Sequence, residues 1–244
     1  MMNINGIGII CNYGRGIDTL NTALENADAQ AIFTSRVKDD ILKDKIFSKD
    51  ARRSDRFDRM AALAALDALS DSGINSEAEK NNIGIILATA FGPHATTFRF
   101  LDDILAYKEA DVSPIVFSHS VHNAAVSYIS SLTGIRGPTL TVTRFSCAFD
   151  QAFILAKAWL EQEKVRFVLV GAVDELSSTM EYITKPLPST ALGEGSVFFI
   201  VSKEKCAKIY SKVEPQISLS AAAAQPIQSA FNSAAAVILK IHKI

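Results

Sequence analysis

Residues 136–174 read RGPTLTVTRFSCAFDQAFILAKAWLEQEKVRFVLVGAVD, and the order of residue types in this stretch decides the fold. Gly137-Pro138 interrupts any preceding element, and Thr139–Thr143 (TLTVT) is rich in β-branched residues. A sharp turn carrying Ser146 and Cys147 follows, and Ala148–Glu161 then reads as a helix. That helix is apolar nearly all round, with Phe149, Ala152, Phe153, Ile154, Leu155, Trp159 and Leu160, so it belongs in an interior. Val165–Val170 is an apolar strand running into Gly171-Ala172. The unit is strand, tight turn, buried helix, strand.

The flanking sequence continues the alternation of strand and helix that marks an α/β sheet. Ile4–Cys11 is a β-branched run closed by Asn-Tyr-Gly, and Gly16–Glu25 places Ile17, Leu20 and Leu24 on one side of a short helix. Residues 26–53 are irregular and charged and read as a surface excursion. In Ser54–Ser72 the residues Phe57, Met60, Leu63, Ala64 and Leu69 recur at helical spacing, with Gly73 at the C-cap. Ile83–Ala88 is continuously apolar, as expected of a strand covered on both faces. Helices are expected at Thr96–Tyr107 and Asn123–Leu132, a proline-bearing loop (Pro186, Pro188) after Val170, and a last strand at Ser196–Ser202. In the tail, Ile227, Phe231, Ala234, Ile238 and Ile241 form an amphipathic stripe.

Composition narrows the functional classes. The 244 residues are 48% apolar with 25 basic and 26 acidic side chains, enough for a substantial core but without the positive excess that neutralises phosphates. No nucleic-acid partner is expected. Cys11, Cys147 and Cys206 are scattered, with no C-x-x-C, and read as reduced thiols. The beginning of the chain has no basic leader and no apolar run reaches membrane-spanning length, so no membrane span and a cytoplasmic location are expected. His94, His119 and His122 are spaced unlike a zinc motif and read as structural or interface residues, and Gly193–Gly195 lacks the Lys of a phosphate loop. Neither a metal nor a cofactor is expected.

Five stretches, in order, resemble the β-ketoacyl synthases, the condensing enzymes of fatty-acid and polyketide assembly: ARRSDRFDRMAALAALDALSDSGI, NNIGIILATAFG, SPIVFSHSVHNAAVSYISSLTGIRGP, the 136–174 unit and LGEGSVFFIVSKEKCAKIYSKV. The resemblance implies a thiolase-like fold whose N-terminal half, a layered βαβαβαββ unit, spans residues 1–213, followed by a short tail at 214–244 in which the amphipathic helix replaces part of a second half. Counting from Gly137-Pro138 without a gap puts the family's reactive cysteine on Ser146, and the same register puts Gly171–Asp174 on Gly-Gly-Ala-Glu. Cys147 stands one residue late and reads as a buried core thiol. The family's C-terminal motifs, H-G-T, K-x-x-x-G-H and Gly-Phe-Gly-Gly, have no counterpart in the 31 residues after Val213.

A ketosynthase-like chain without its thiol is similar to the chain-length factors of type II polyketide systems, and by size to the short subunits of aryl-polyene-type pathways. This implies a non-catalytic subunit forming a heterodimer with a full-length β-ketoacyl synthase, meeting an acyl carrier protein transiently, and shaping the acyl tunnel. By that register Phe91, His94, Phe98, Phe117, Asn123, Thr141, Val142 and Phe145 are tunnel or interface candidates. Arg52, Arg53 and Arg56 are candidate docking residues for an acidic carrier protein. Two other readings remain open: a minimal acyl-transfer or thioester-hydrolysing enzyme using Cys147 or Ser146, and a homodimeric acyl- or carrier-protein-binding module.

Overall fold

Local signals set the longest helix. Asp55 stops the chain before it with an extended backbone and accepts the Asp58 N–H at 2.9 Å, while Gly73 ends it in the left-handed region at φ 67°. The computed structural model describes residues 1–18, 36–49, 54–107, 112–184, 192–204, 206 and 208–213, with Ala230, Phe231, Ala234 and Val237 of the tail. Along these the elements are β1 (Met2–Cys11), β2 (Gly14–Arg15), α1 (Ile46–Lys49), α2 (Arg56–Ser72), β3 (Ile83–Thr89), α3 (His94–Tyr107), α4 (Pro114–His119), α5 (Ala124–Thr133), β4 (Thr139–Thr143), α6 (Ala148–Glu161), β5 (Phe167–Asp174), α7 (Ser178–Thr184), β6 (Gly195–Ser202) and β7 (Ser211–Val213).

One mixed sheet runs β2-β1-β6-β5-β3-β4, with β7 added to β1. β1 and β5 flank β6 antiparallel, and β3 joins β5 to β4 with parallel pairing on both sides. Strand alternation divides the core in two. Ile83, Ile85 and Leu87 face the side covered by α2 and α5, whereas Ile86 and Ala88 face the side of α6. The approach of α2 is close because both surfaces are small: a Cβ on Gly8 would stand 2.0 Å from the Ala64 carbonyl oxygen. Only a bare strand backbone opposite the Ala-rich stripe of α2 allows that distance.

The nucleophile-type unit forms where the sequence places it, with β4 and α6 matching the expected ranges and β5 extending through Asp174. On α6, Phe149, Ala152, Phe153, Ala156 and Leu160 are buried against the sheet, Leu155 and Trp159 are half-buried and pack against the same cluster, and Ile154 is half-exposed. Ala230, Phe231 and Ala234 are helical and buried in the same apolar cluster as α6. Ile227, Ile238 and Ile241 lie outside the described residues, as do Arg52, Arg53, Pro186 and Pro188.

Two expectations need correction. The charged segment before α2 is not a purely solvated excursion, since Val37, Leu42 and Phe47 are buried in the α2 cluster, spaced five apart without helical or strand period. The stretch after β5 is not loop alone: α7 occupies Ser178–Thr184. The short α4, with Pro114 at its first turn, and the three-residue β7 were not anticipated either.

β4 is the sheet edge. Arg144 N–H donates to the Thr89 carbonyl and Ile85 N–H to the Pro138 carbonyl, which turns the even-numbered residues of β4 toward β3. Thr139, Thr141 and Thr143 therefore direct their backbone N–H and C=O outward, and no described strand pairs with that edge.

Candidate functional site

The C-terminal ends of the parallel strands β3 and β5 meet the β4–α6 turn, the position where open α/β sheets place their sites. Buried Asp174, the last residue of β5, holds this end together. Its Oδ1 accepts the Thr89 hydroxyl at 2.9 Å and the Ala90 N–H at 2.8 Å, and its Oδ2 accepts the Phe231 N–H at 3.1 Å. Thr89 Oγ1 in turn accepts the Gly92 N–H at 2.9 Å. These bonds set the turn that presents Phe91. Gly92 sits at φ 66°, and a Cβ there would meet the His122 ring at 2.5 Å, so glycine serves both the conformation and the packing.

The next residues are tied by buried carboxylates. Glu175 accepts the Ala95 N–H of the first turn of α3 at 2.8 Å, and burial pushes its carboxyl up to about 8. His94, equally buried, has Nδ1 3.3 Å from the Gly92 carbonyl and 3.8 Å from Glu175, and burial lowers its pKa. Among the described residues its Nε2 has no hydrogen-bond partner. Glu194 accepts the Val37 and Leu176 N–H groups and pairs with Arg56 at 2.7 Å. Arg56 also bonds Asp39 and the Val37 carbonyl, and its side chain is only 17% exposed. That engagement removes Arg56 from a carrier-protein docking surface: it is a tether for the segment before α2.

Around this polar base the aromatic candidates converge. Phe91 lies 5.7 Å from Phe145 and 6.3 Å from His94, and His94 lies 6.5 Å from Phe98, centroid to centroid. Phe117 of α4 pairs instead with Phe100 at 5.3 Å. Asn123 is exposed at the start of α5 and makes no side-chain cap bond. Thr141 and Val142 are half-buried on the edge strand, and Thr141 Oγ1 is buried with no partner among the described residues. Phe98, Leu101 and Leu105 of α3, Ile115 and Phe117 of α4, Leu140 of β4 and Phe145 of the turn are all exposed. Most of the large apolar side chains left exposed among the described residues lie on α3, α4, β4 and the β4–α6 turn.

At the turn, the residue in the left-handed region is Cys147, with φ 56° and ψ 24°, and Ser146 precedes it. A non-glycine residue rarely adopts this conformation. Cys147 is half-buried at the head of α6, so the expectation of a fully buried core thiol is corrected. None of the three cysteines is in a disulfide. The sequence pointed to the aromatic residues and to the turn. It gave no signal for Glu175 or Thr89, because isolated acidic and hydroxyl residues at strand ends have no periodicity to betray their burial.

The profile of the family described as "Beta-ketoacyl synthase, N-terminal domain" matches residues 14–184. The chain belongs to the β-ketoacyl synthase family. It is 23% identical over 154 residues to the 3-oxoacyl-[acyl-carrier-protein] synthase 2 of Vibrio harveyi, a match covering 57% of this chain and 37% of that enzyme. Among solved structures it shares its fold with the ishigamide ketosynthase/chain length factor (TM-score 0.67, 20% identity, 85% of this chain and 63% of that one). It also resembles a ketosynthase in complex with its chain length factor from Xenorhabdus doucetiae (TM-score 0.58, 17% identity, 84% of this chain and 80% of that one). The chain thus spans little more than a third of the bacterial synthase and under two thirds of the ishigamide protein. Among the described residues, no helix is long and apolar enough to cross a membrane.

Proposed function

We propose that this chain is a non-catalytic, chain-length-factor-like subunit that pairs with an active β-ketoacyl synthase and shapes the partner's acyl tunnel, with an acyl carrier protein delivering the substrate. The observation that carries the reading is the exposed apolar run of α3, α4, β4 and Phe145 next to the outward-facing backbone of Thr139, Thr141 and Thr143. An unpaired edge flanked by exposed aromatic side chains is a surface built for covering by another chain. The structural resemblance to ketosynthase–chain-length-factor complexes supports the choice of partner. The absence of catalysis rests on the register that puts Ser146, whose hydroxyl is far less acidic than a thiol, at the nucleophile position.

One observation favours a competing reading, acyl transfer by Cys147: its left-handed backbone and partial exposure at the head of a helix. Incubating the chain with acyl and malonyl carrier proteins separates the two. The proposed role gives no β-ketoacyl product and no acylated Cys147. Product that disappears in Cys147→Ala overturns it.

A further inference from the structure

A second cluster lies behind the aromatic surface and takes no part in the reading above. Asp55 Oδ1 accepts the Asp58 N–H and its Oδ2 accepts the Thr96 hydroxyl at 2.7 Å. Asp58, in the first turn of α2, is fully buried, and its Oδ2 stands 2.5 Å from His119 Nδ1 at the end of α4. One donor atom from each of Asp55, Asp58 and His119 lies within 4.8 Å of the others. Among the described residues no donor reaches buried Asp58 Oδ1; the Asp55 carboxyl, itself an acceptor, is a close polar neighbour of the Asp58 carboxyl, and the imidazole meets only Oδ2.

Two carboxylates this close in a partly dry site need either a shared proton or a positive charge between them, and a bound cation is one way to supply the charge. The two arginines at the start of α2 are engaged elsewhere. Arg59 donates from Nε to Ser54 and lies over the Phe47 ring, and Arg56 pairs with Glu194 and Asp39. The imidazole supplies one polar contact to Asp58 Oδ2 and leaves Oδ1 unmet.

We propose that Asp55, Asp58 and His119 form a three-ligand site for a divalent transition metal of the zinc type. One imidazole nitrogen with two carboxylate oxygens suits such ions better than magnesium or calcium, which favour all-oxygen shells. Binding places the ion at roughly 2.0–2.2 Å from each donor, so the imidazole proton on Nδ1 leaves to solvent and the His119–Asp58 hydrogen bond opens to admit the metal. His119 is the least buried of the two groups in that hydrogen bond, and supplies the route of entry. The ion would fasten the end of α4 to the first turn of α2. Because α4 carries Ile115 and Phe117, occupancy would hold that part of the exposed apolar face in place; this consequence, unlike the site itself, rests on the proposed partner surface.

The test uses the full chain, dialysed against chelator and titrated with Co²⁺ and separately with Zn²⁺. The site predicts visible d–d absorption saturating at one Co²⁺ per chain, without the intense near-ultraviolet band of cobalt–thiolate bonds. It also predicts a rise in Tm of roughly 5–10 °C at a hundredfold Zn²⁺ excess over Kd. Asp58→Asn and His119→Ala should each weaken binding by about a hundredfold or more. If Asp58→Asn fails to fold, His119→Ala and Asp55→Asn, at less buried positions, decide alone. No Co²⁺ spectrum and no Zn²⁺-dependent Tm change in the parent chain, a thiolate signature, or unchanged binding in His119→Ala would each overturn the site. Loss of binding in both variants with the circular-dichroism spectrum preserved supports it, whatever the outcome of the partner experiments.

Discussion

Replacing Glu175 by Gln should change how stability depends on pH more than it changes the fold. The Glu175 carboxyl is buried, accepts the Ala95 N–H and titrates near 8 in the native state, raised chiefly by desolvation. In the unfolded chain it titrates near the ordinary 4.5. Between those values the native state keeps a proton that the unfolded state has released, so stability falls as pH rises, by about 1.4 kcal/mol per pH unit. From pH 5 to pH 8 the loss is on the order of 4 kcal/mol, or on the order of 10 °C in Tm for a chain of this size. Gln keeps the acceptor for Ala95 and carries no charge at any pH. Thermal unfolding of both proteins across that range, followed by circular dichroism, should show a Tm difference (variant minus parent) that grows with pH and flattens above about pH 8.5. Parallel pH profiles would refute the argument, since the carboxyl would then have to be ionised and tolerated in the native state.

Three further outcomes follow from the packing. Gly8→Ala should destabilise by at least the ~1–3 kcal/mol typical of overpacking, measured by urea titration, because its Cβ would overlap the Ala64 carbonyl of α2. Thr141→Pro should leave the pairing of β4 with β3 intact, because the lost N–H points outward, yet abolish association with a partner strand in size-exclusion chromatography. Phe98→Ala, at a side chain already 37% exposed, should cost well under the ~3–5 kcal/mol of a buried Phe while lengthening the partner's products in a reconstituted assay. Unchanged product length there would leave the residue a surface contact rather than a tunnel wall.

What the sequence made legible tracks where local chemistry and tertiary packing agree. The cap residues and apolar spacing of α2, the all-apolar β3 and the β4–α6–β5 unit all state their own boundaries, and the structure follows them within a few residues. The six-residue α4 is too short to show a helical period, and α7 is two turns of mixed polarity, so both were invisible. Within the site, Phe91, His94, Phe98 and Phe145 could be named because family register places them, and the structure brings their rings together. Arg56 read as an exposed cation because nothing in its neighbourhood reveals Glu194, 138 residues away. The Asp58–His119 pair is separated by 61 residues, beyond any spacing rule for metal ligands. The exposure of Cys147 depends on one left-handed backbone angle that residue types alone do not announce.

The central claim, a subunit made to be covered along its β4 edge by an active ketosynthase, is tested most directly by co-expressing this chain with a cognate full-length β-ketoacyl synthase. Size-exclusion chromatography with native mass spectrometry of the purified product is the measurement. The account predicts a one-to-one heterodimer that Thr141→Pro dissolves. A homodimer or monomer of this chain that ignores the co-expressed synthase, or a heterodimer indifferent to Thr141→Pro, would contradict it.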